Sequence, residues 1–321
     1  MTRLALLGAA HIHTPNFIRM LGARPDHRTV AVWDHDHTRA EKAANQLGAP
    51  VCGSVEEALV LADAAIICAE TVRHEALVSA TASARKHVFV EKPLGMTADD
   101  SARMQRAIER AGIVFQTGFF MRGQAIPRYL GGLLSSRAFG RVTRVRASNC
   151  HAGSLKGWFD TDWRWMAEPA LAGVGAFGDL GAHVLDLLIW WFGRVESATA
   201  AIGVATGRYG ACDEYGEALL RFGNGVIATL AAGWVDVANP VTLVISGTEG
   251  HASVVNGQLY LVGEKLGDGK TPVVDLPAAL PHAFDQFLDA LAGKPAELVP
   301  IADAAHASAV MAQMYRGALR A

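Results

Sequence analysis

The sequence predicts two domains: an α/β domain with a doubly wound parallel sheet, then an α+β domain with an open, mostly antiparallel sheet covered by helices. The chain has 321 residues, more than the roughly 250–300 residues that one hydrophobic core serves. Over residues 1–120, short apolar runs alternate with helical stretches, which is typical of parallel βαβ units. Over residues 121–321, the runs alternate or are β-branched, which indicates antiparallel strands.

Five apolar runs in residues 1–120 have the length of buried strands, and helices with recognisable caps separate them. The predicted strands are Leu4–Leu7, Thr29–Trp33, Ala64–Cys68, Val88–Val90 and Ile113–Thr117. The first predicted helix begins at Thr14 and Pro15, the second covers Thr38–Leu47 and ends at Gly48, and the third begins with the capping box of Ser54 and Glu57. The fourth covers Val72–Arg85, and the fifth runs from Thr97 to Ala111 and ends at Gly112.

The second half contains more strands than helices. The predicted strands are Val142–Ala147, Ala198–Ala205, Glu217–Phe222, Val226–Ala231, Val241–Ser246 and Ser253–Val262. The predicted helices are Pro127–Ser136, Gly178–Trp191, Pro281–Ala292 and Ala302–Leu319.

Composition excludes several classes of protein. The 29 basic and 31 acidic residues give a net charge of −2, without the basic excess of a nucleic-acid binder. A hydrophobic content of 51% with 19% charged residues excludes a disordered chain. The longest strongly apolar stretch near a helix, Leu187–Phe192, is far shorter than the about 20 residues of a membrane span.

The N-terminal and cysteine patterns favour a reduced, cytoplasmic protein. Met1–Ala10 faintly resembles a signal peptide, but its apolar run is short and a glycine turn follows at once, so we interpret it as the first strand. The four cysteines are scattered and form no CxxC pair, which argues against a zinc knuckle and a disulfide framework.

The turn after the first predicted strand lies where a dinucleotide fold places its G-x-G-x-x-G sequence. Gly8 keeps the first glycine, whereas Ala10 and His13 replace the other two. Such a turn presents backbone N–H groups to a pyrophosphate, but it also occurs without any ligand. Asp34 ends the second strand, where a carboxylate accepts hydrogen bonds from a ribose and repels a 2′-phosphate, so NAD is favoured over NADP.

His11 and His13 form an H-x-H pair that also invites a metal interpretation. A third ligand would have to come from the candidates in Asp34–His37, at the ribose end of the cofactor. Nothing in the sequence forces these groups to converge, so we predict no metal.

Two further groups of residues are candidates for a catalytic site. Glu91, Lys92 and Pro93 follow the fourth strand, and ligands bind beyond the carboxyl ends of strands in such sheets, so Lys92 points towards a crevice. Asp179 and His183 are four residues apart on one apolar helix and share a face, with Asp186 nearly on the same stripe. A histidine held by Asp186 within the core is the alternative to a catalytic site.

Together these sequences resemble the Gfo/Idh/MocA oxidoreductases over essentially the whole chain. The resemblance rests on the N-terminal turn, on Glu91-Lys92-Pro93, on Asp179-Leu-Gly-Ala-His183 and on Trp163-Arg164. It implies a Rossmann domain over residues 1–120, a substrate-binding and oligomerisation domain over residues 121–321, and a homodimer or homotetramer. The sequence departs from the family at Ala10 and His13, at Thr71 where proline is frequent, and at Glu70 where threonine is frequent.

The family resemblance implies hydride transfer between NAD(P) and a secondary alcohol or ketone of a sugar, sugar derivative or cyclitol. The implied catalytic set is Lys92, Asp179 and His183, with His183 as the general base. The implied cofactor contacts are Gly8, Ala10, His11, His13, Asp34, Glu70, Thr71, His74, Glu91, Lys92 and Arg164. The implied substrate contacts are Lys92, Arg122, His151, Trp163, Asp179 and His183.

Two other functions remain open on the same residues. One is an NAD-dependent glycosidase, which would oxidise a sugar transiently, eliminate the aglycone and return the hydride. The other is a non-catalytic protein that binds NAD and a sugar. The sequence names neither the sugar nor the carbon that reacts.

Overall fold

The computed structural model describes all 321 residues and divides into two compact units. The first unit comprises Met1–Phe119, Asp160–Gly173 and Pro281–Ala309; the second comprises Phe120–Phe159, Val174–Leu280 and Val310–Ala321. The predicted change of architecture near residue 120 coincides with the end of the first segment. The sequence did not predict that Asp160–Gly173 and Pro281–Ala309 belong to the first unit, because the apolar face of a helix does not indicate which core it packs against.

The first unit contains a five-stranded parallel sheet in the order β2-β1-β3-β4-β5. Its strands are β1 Thr2–Ala9, β2 His27–Trp33, β3 Ala64–Cys68, β4 His87–Val90 and β5 Phe115–Thr117. The helices between them are α1 Thr14–Gly22, α2 His37–Leu47, α3 Val55–Leu61, α4 His74–Ser83 and α5 Ala98–Ala111.

The second unit contains a nine-stranded mixed sheet in which the pairs β6–β9 and β7–β14 are parallel and the other pairs are antiparallel. Its strands, in chain order, are β6 Val142–Cys150, β7 Val195–Gly203, β8 Tyr215–Phe222, β9 Ile227–Gly233, β10 Val241–Gly247, β11 His251–Val255, β12 Gln258–Gly263, β13 Gly267–Asp268 and β14 Leu319–Arg320. The remaining helices of the chain are α6 Ala125–Ser135, α7 Pro169–Ala172, α8 Ala176–Phe192, α9 Ala283–Leu291 and α10 Ile301–Arg316.

Aromatic packing explains why α9 belongs to the first unit. Phe17 of α1 stacks on Phe284 of α9 with ring centroids 4.4 Å apart, and Phe89 of β4 meets Phe284 edge to face at 5.0 Å. Phe17, Phe89, Phe284 and Phe287 are almost completely buried. Burial of such side chains stabilises a fold by about 1.5–3 kcal/mol each, so α9 closes one side of the first core.

Three local predictions were wrong in detail. The predicted strand Ser253–Val262 is two strands, β11 and β12, because Asn256 and Gly257 both have positive φ and form a tight hairpin turn. Helix α1 has His13 rather than Thr14 at its N-cap position. The glutamate of the predicted capping box, Glu57, binds the N–H of Gly53, while Ser54 accepts from the Glu57 N–H as expected.

Helix α8 is the most buried helix of the second unit, with nearly all of its residues inaccessible. The segment Pro169–Phe192 has the length and composition of a membrane span, but 89% of its most apolar 18 residues are buried, as in a helix of a protein core. Burial of a whole helix requires partners for its free N-terminal N–H groups.

Asp213 and Tyr315 supply those partners. The Asp213 carboxylate accepts from the N–H of Phe177 at 2.9 Å. The Tyr315 hydroxyl accepts from the N–H groups of Gly175 at 3.1 Å and Gly178 at 2.9 Å, and it donates to Asp213. A Cβ at Gly175 would collide with the Asp213 carboxylate, so glycine there leaves the space that this cap occupies.

We expect Tyr315→Phe to lower the free energy of unfolding by about 1–3 kcal/mol, because two buried N–H groups would lose their acceptor. Chemical denaturation followed by circular dichroism measures the change. Tyr260→Phe is the control, since its hydroxyl bonds Gln258 on the surface and its loss should cost less than about 0.5 kcal/mol. Equal effects of the two substitutions would contradict the capping role of Tyr315.

Candidate active site

The turn between β1 and α1 is held closely against β3. Gly8 has a φ of +80°, and a Cβ there would lie 2.5 Å from the Cβ of Ala69, so this position requires glycine. The N–H of His11 donates to the carbonyl of Cys68 at 2.9 Å, and the indole N–H of Trp165 donates to the carbonyl of Ala10 at 3.0 Å. The turn therefore keeps the close backbone approach of a dinucleotide fold with only its first glycine.

A cavity of about 430 Å³ lies over this turn and the adjoining face of α2. Its lining includes Ala9, Ala10, Thr14, Pro15, Ile18, Asp36, Thr38, Arg39, Lys42, Ala43, Gln46, Asp162 and Trp163. The small side chains at positions 9 and 10 leave the backbone open beside the first turn of α1. Its volume lies within the usual range of small-ligand sites, and its lining contains Trp163, which was predicted to contact substrate.

Asp34 lies at the end of β2, as predicted, but its carboxylate is already engaged. It accepts from the N–H groups of Ala9 at 2.7 Å and Asp36 at 2.9 Å, and from Arg39 Nε at 2.7 Å and Nη2 at 2.8 Å. Burial alone would raise the pKa of Asp34, but Arg39 and the two backbone donors outweigh it and lower that pKa. Asp34 is therefore an ionised group of the fold as well as a candidate ribose contact.

Arg39 was missed in the sequence and is the central cation of this region. Its Nη2 also donates to Glu70 at 2.9 Å, and Arg73 lies 3.3 Å from the same glutamate. Arg39 lines the cavity from the first turn of α2, five residues after Asp34. An arginine one helical turn beyond the end of β2 is the only sequence signal that could have indicated it.

Thr71 and His74 follow β3 and are both buried. Thr71 opens a short 3₁₀ turn that leads into α4. The His74 ring lies against three carbonyl oxygens, with Nε2 3.2 Å from Ala69 and Nδ1 3.1 Å from Pro93 and 3.2 Å from Leu94. His74 thus links the segment after β3 to the segment after β4, and direct contact with a cofactor remains a prediction for it.

Glu91 and Lys92 emerge from β4 into a buried region, where the side chains are 0% and 3% exposed. Glu91 Oε1 lies 3.0 Å from Nδ1 of His13 and 3.7 Å from Nδ1 of His11, and Oε2 accepts the N–H of Lys92 at 3.0 Å. Burial would raise the pKa of Glu91, but the charges of His11 and His13 lower it well below its usual range. The structure thus brings three of the predicted cofactor residues together.

In the second unit, Asp179 and His183 lie one turn apart on α8 and both are buried. The indole N–H of Trp234 donates to Oδ2 of Asp179 at 3.1 Å. The His183 ring packs 4.6 Å from the ring of Phe120, between centroids. Trp234 was not predicted; its position directly after β9 gave no signal of a contact with α8.

Arg122, a predicted substrate contact, forms a bidentate ion pair with Asp186 of α8. Arg122 Nε lies 2.9 Å from Oδ2 and Nη2 lies 2.6 Å from Oδ1 of the aspartate. The Asp186 side chain is completely buried, so this pair places Arg122 firmly one turn beyond His183. Asp186 thereby binds an arginine, which the core interpretation of the sequence had not included.

The other predicted contacts lie at more exposed positions. The His151 ring packs against Trp158 with centroids 4.6 Å apart, and its Nδ1 accepts from the N–H of Gly153 at 3.0 Å. Arg164, a predicted cofactor contact, is half-exposed and lies 3.7 Å from Glu168. Their roles towards ligands remain predictions.

A second cavity, of about 580 Å³, lies within the second unit and has a mainly apolar lining with a few amides and hydroxyls. Cys150 is part of that lining. Burial, together with the negative charge of Asp236, raises the pKa of the Cys150 thiol to about 12. The thiol therefore stays protonated at neutral pH and is not a nucleophile there.

Two models of one protein family match this chain. The model described as an oxidoreductase family with an NAD-binding Rossmann fold matches residues 2–119, and the model of the GFO/IDH/MocA C-terminal domain matches residues 128–253. The two matches are consecutive and together cover most of the 321 residues. The chain therefore belongs to the Gfo/Idh/MocA family.

Curated relatives and solved structures agree with this assignment. A levoglucosan dehydrogenase of Pseudarthrobacter phenanthrenivorans is 26% identical over 55% of this chain and 51% of its own length. An inositol 2-dehydrogenase of Saccharopolyspora erythraea is 30% identical over 61% of this chain and 54% of its own length, so the matches span about half of each relative. The WlbA dehydrogenase of Bordetella pertussis, solved with NADH and UDP-GlcNAcA, has a TM-score of 0.79 at 22% identity over 98% of this chain and 96% of its own, which supports the fold.

We expect Arg39→Ala to lower the free energy of unfolding at pH 7 by about 2–4 kcal/mol, because it leaves the buried Asp34 carboxylate without its cation. The folded-state pKa of Asp34 lies below its unfolded value, so the stabilisation is present above a pH of about 4 and is lost as the pH falls through the folded-state pKa. Denaturant titrations at several pH values should show the difference between wild type and variant shrinking towards acid pH.

Arg103→Ala is the matched control for that prediction. Arg103 pairs with Glu75 on the surface, where such a pair contributes about 0–1 kcal/mol. A loss for Arg39→Ala no larger than that for Arg103→Ala, or a loss independent of pH, would contradict the role assigned to Arg39.

Proposed function

We propose that this member of the Gfo/Idh/MocA family is an NAD(P)-dependent dehydrogenase or reductase acting on a secondary alcohol or ketone of a sugar, sugar derivative or cyclitol. The observation that carries the proposal is the buried pair Asp179 and His183 on α8 of the second unit; in the first unit, Lys92 is likewise buried directly after β4. The burial of charged and titratable groups is costly unless they serve a purpose or find partners, and active sites are where such groups concentrate.

The names of the similar proteins support the substrate class. One acts, by its name, on levoglucosan and another on inositol, and the solved relative was crystallised with a nucleotide sugar. These ligands share several hydroxyl groups on a ring. The near-neutral net charge of this chain suits a polyhydroxyl substrate without charge, which is bound by hydrogen bonds rather than by a strong electrostatic field.

Oxidation of a secondary alcohol removes a hydride from carbon and a proton from oxygen. The nicotinamide, when bound, supplies the hydride acceptor. His183 takes the hydroxyl proton at its unprotonated ring nitrogen, since an imidazole titrates near neutral pH. The family resemblance assigns to Lys92, which is buried after β4 of the first unit, the stabilisation of negative charge on an oxygen of the substrate. Asp179, held by Trp234, orients the neighbouring hydroxyls of the substrate.

The residues around the first turn would hold the cofactor, with NAD preferred to NADP. Gly8 and Ala10 keep large side chains away from the turn, and Asp34 directly follows β2, where a dinucleotide fold binds the ribose. Arg39 is the cation nearest that position, but two carboxylates, Asp34 and Glu70, already neutralise it. A 2′-phosphate would therefore meet no unpaired guanidinium there.

We further propose a cytoplasmic homodimer or homotetramer. Four separate free thiols suit a reducing compartment. The nine-stranded sheet exposes apolar side chains on one face, among them Leu219 and Ile227. Light scattering coupled to size-exclusion chromatography tests the oligomeric state.

We expect Lys92→Ala and His183→Ala each to lower kcat/KM by about 10²–10⁴-fold, because each removes a side chain of the catalytic set that the family resemblance implies. The assay follows NADH absorbance over a panel of sugars and polyols, with NAD and NADP in parallel. Binding of NAD, measured by calorimetry, should survive in His183→Ala.

Lys86→Ala and His251→Ala serve as controls, because they remove the same side-chain types at positions outside the predicted site. Unchanged turnover in both Lys92→Ala and His183→Ala would refute the assignment. NAD binding without turnover over the whole panel would instead favour a binding protein, and cleavage of a chromogenic glycoside without net NADH would favour the glycosidase.

We expect Trp234→Phe to lower kcat by about 10-fold or more with little change in KM, because a hydrogen bond to a charged group contributes about 1.5–3 kcal/mol. The substitution keeps an aromatic ring but removes the N–H that positions Asp179. Steady-state kinetics with the best substrate of the panel provides the measurement.

Phe159→Leu is the control for this prediction. Phe159 packs against the Trp234 ring at 4.2 Å, so its substitution disturbs the packing of Trp234 while leaving the N–H in place. If Phe159→Leu lowers kcat as much as Trp234→Phe, packing rather than the hydrogen bond is responsible, and the positioning role fails.

A further inference from the structure

We propose that His11, His13 and Glu91 form a binding site for a divalent transition-metal ion, with Zn²⁺ the preferred ion. The same three residues are also predicted cofactor contacts, so the metal is tested in the absence of dinucleotide. It uses the H-x-H pair of the first turn together with the carboxylate that follows β4, rather than the acidic residues near Asp34 that the sequence suggested.

The spacing of the three side chains matches the coordination of a small ion. One ligand atom from each residue lies within 4.8 Å of the others. Oε1 of Glu91 is 3.0 Å from Nδ1 of His13 and 3.7 Å from Nδ1 of His11. Ligands at about 2.0–2.1 Å from a tetrahedral zinc lie about 3.3 Å from one another, which is close to the two distances measured from Glu91. Nδ1 of His11 accepts the N–H of His13 at 3.3 Å, so an ion would have to replace that hydrogen bond.

The carboxylate is held in place by atoms that are not ligands. Its second oxygen, Oε2, accepts the N–H of Lys92 at 3.0 Å, which leaves Oε1 directed at the two imidazoles. A Cβ at Gly118 would come within 2.5 Å of Oε2, so glycine at that position leaves the room that the carboxylate occupies. Such outer contacts orient metal ligands and strengthen binding.

The donor set selects the type of ion. Two imidazoles and one carboxylate suit zinc and similar transition metals, whereas magnesium prefers oxygen ligands and retains its waters. Three protein ligands leave a fourth position for water or another ligand. His13 is 39% exposed, which gives an ion a route into a site whose other two members are buried.

An ion at this position would join the turn after β1 to the end of β4. His13 occupies the place of the third glycine of a dinucleotide turn, where a side chain has to be accommodated. Coordination of that side chain would hold the turn in its observed position.

The test is a Zn²⁺ titration of the full-length protein, freed of metal by a chelator and without dinucleotide, in competition with a chelating indicator. We expect one Zn²⁺ per chain, little affinity for Mg²⁺, and visible absorption bands of tetrahedral type when Co²⁺ is the probe. Replacement of residues beyond the ligands usually weakens metal binding about 10–100-fold, so His13→Asn and Glu91→Gln should weaken it at least that much.

His37→Asn is the matched control, because this exposed histidine of α2 lies outside the three-residue group and its loss should leave Zn²⁺ affinity unchanged. If Glu91→Gln does not fold, His13→Asn decides the matter, since the exposed side chain of His13 can be replaced with less damage. Zn²⁺ affinity that is equal in wild type and His13→Asn, or the absence of stoichiometric binding in wild type, would overturn the proposal.

Discussion

The burial of the Glu91 carboxylate is the interaction on which the arrangement of the first unit's chemical groups depends. A carboxylate without exposure to water is stable only if donors or cations surround it. Here His13, His11 and the N–H of Lys92 surround it, and Gly118 makes the space. The turn after β1 and the end of β4 are therefore linked by charge as well as by the sheet, with Lys92 as the next residue.

A second buried carboxylate, at the end of β2, is stabilised in the same way. Asp34 is buried and is kept ionised by Arg39 and two backbone donors, and Arg39 in turn binds Glu70 after β3. Neighbouring strands β1, β2, β3 and β4 thus end in groups that satisfy one another in pairs. Because parallel strands present their carboxyl ends at one edge, charges placed after each strand meet there without long loops.

Helix α8 also buries charged and titratable side chains, but their partners come from distant elements rather than from neighbouring strand ends. It carries Asp179, His183 and Asp186 through an otherwise apolar interior, and each needs a partner from another element. Trp234 donates to Asp179, and Arg122 pairs with Asp186. The cap formed by Asp213 and Tyr315 satisfies the start of the same helix. These contacts hold Asp179 in a fixed position and fix the helix that carries His183, as proton transfer at a defined oxygen requires.

How far the sequence predicts this molecule depends on the range of each interaction. Strand and helix alternation, and the caps at Gly48, Thr97 and Gly112, follow from neighbours in the chain and agree with the structure. The missed hairpin at Asn256 and Gly257 was also local and could have been recognised from its Asn-Gly pair.

The partners of the buried charges lie beyond the reach of such patterns. Trp234 follows Asp179 by 55 residues, Tyr315 and Asp213 are separated by 102, and Arg122 and Asp186 by 64. No periodicity connects residues at those separations, since each pair forms only when two elements pack. A pattern therefore identifies candidate side chains, and the fold determines which of them are held ionised, oriented or neutralised.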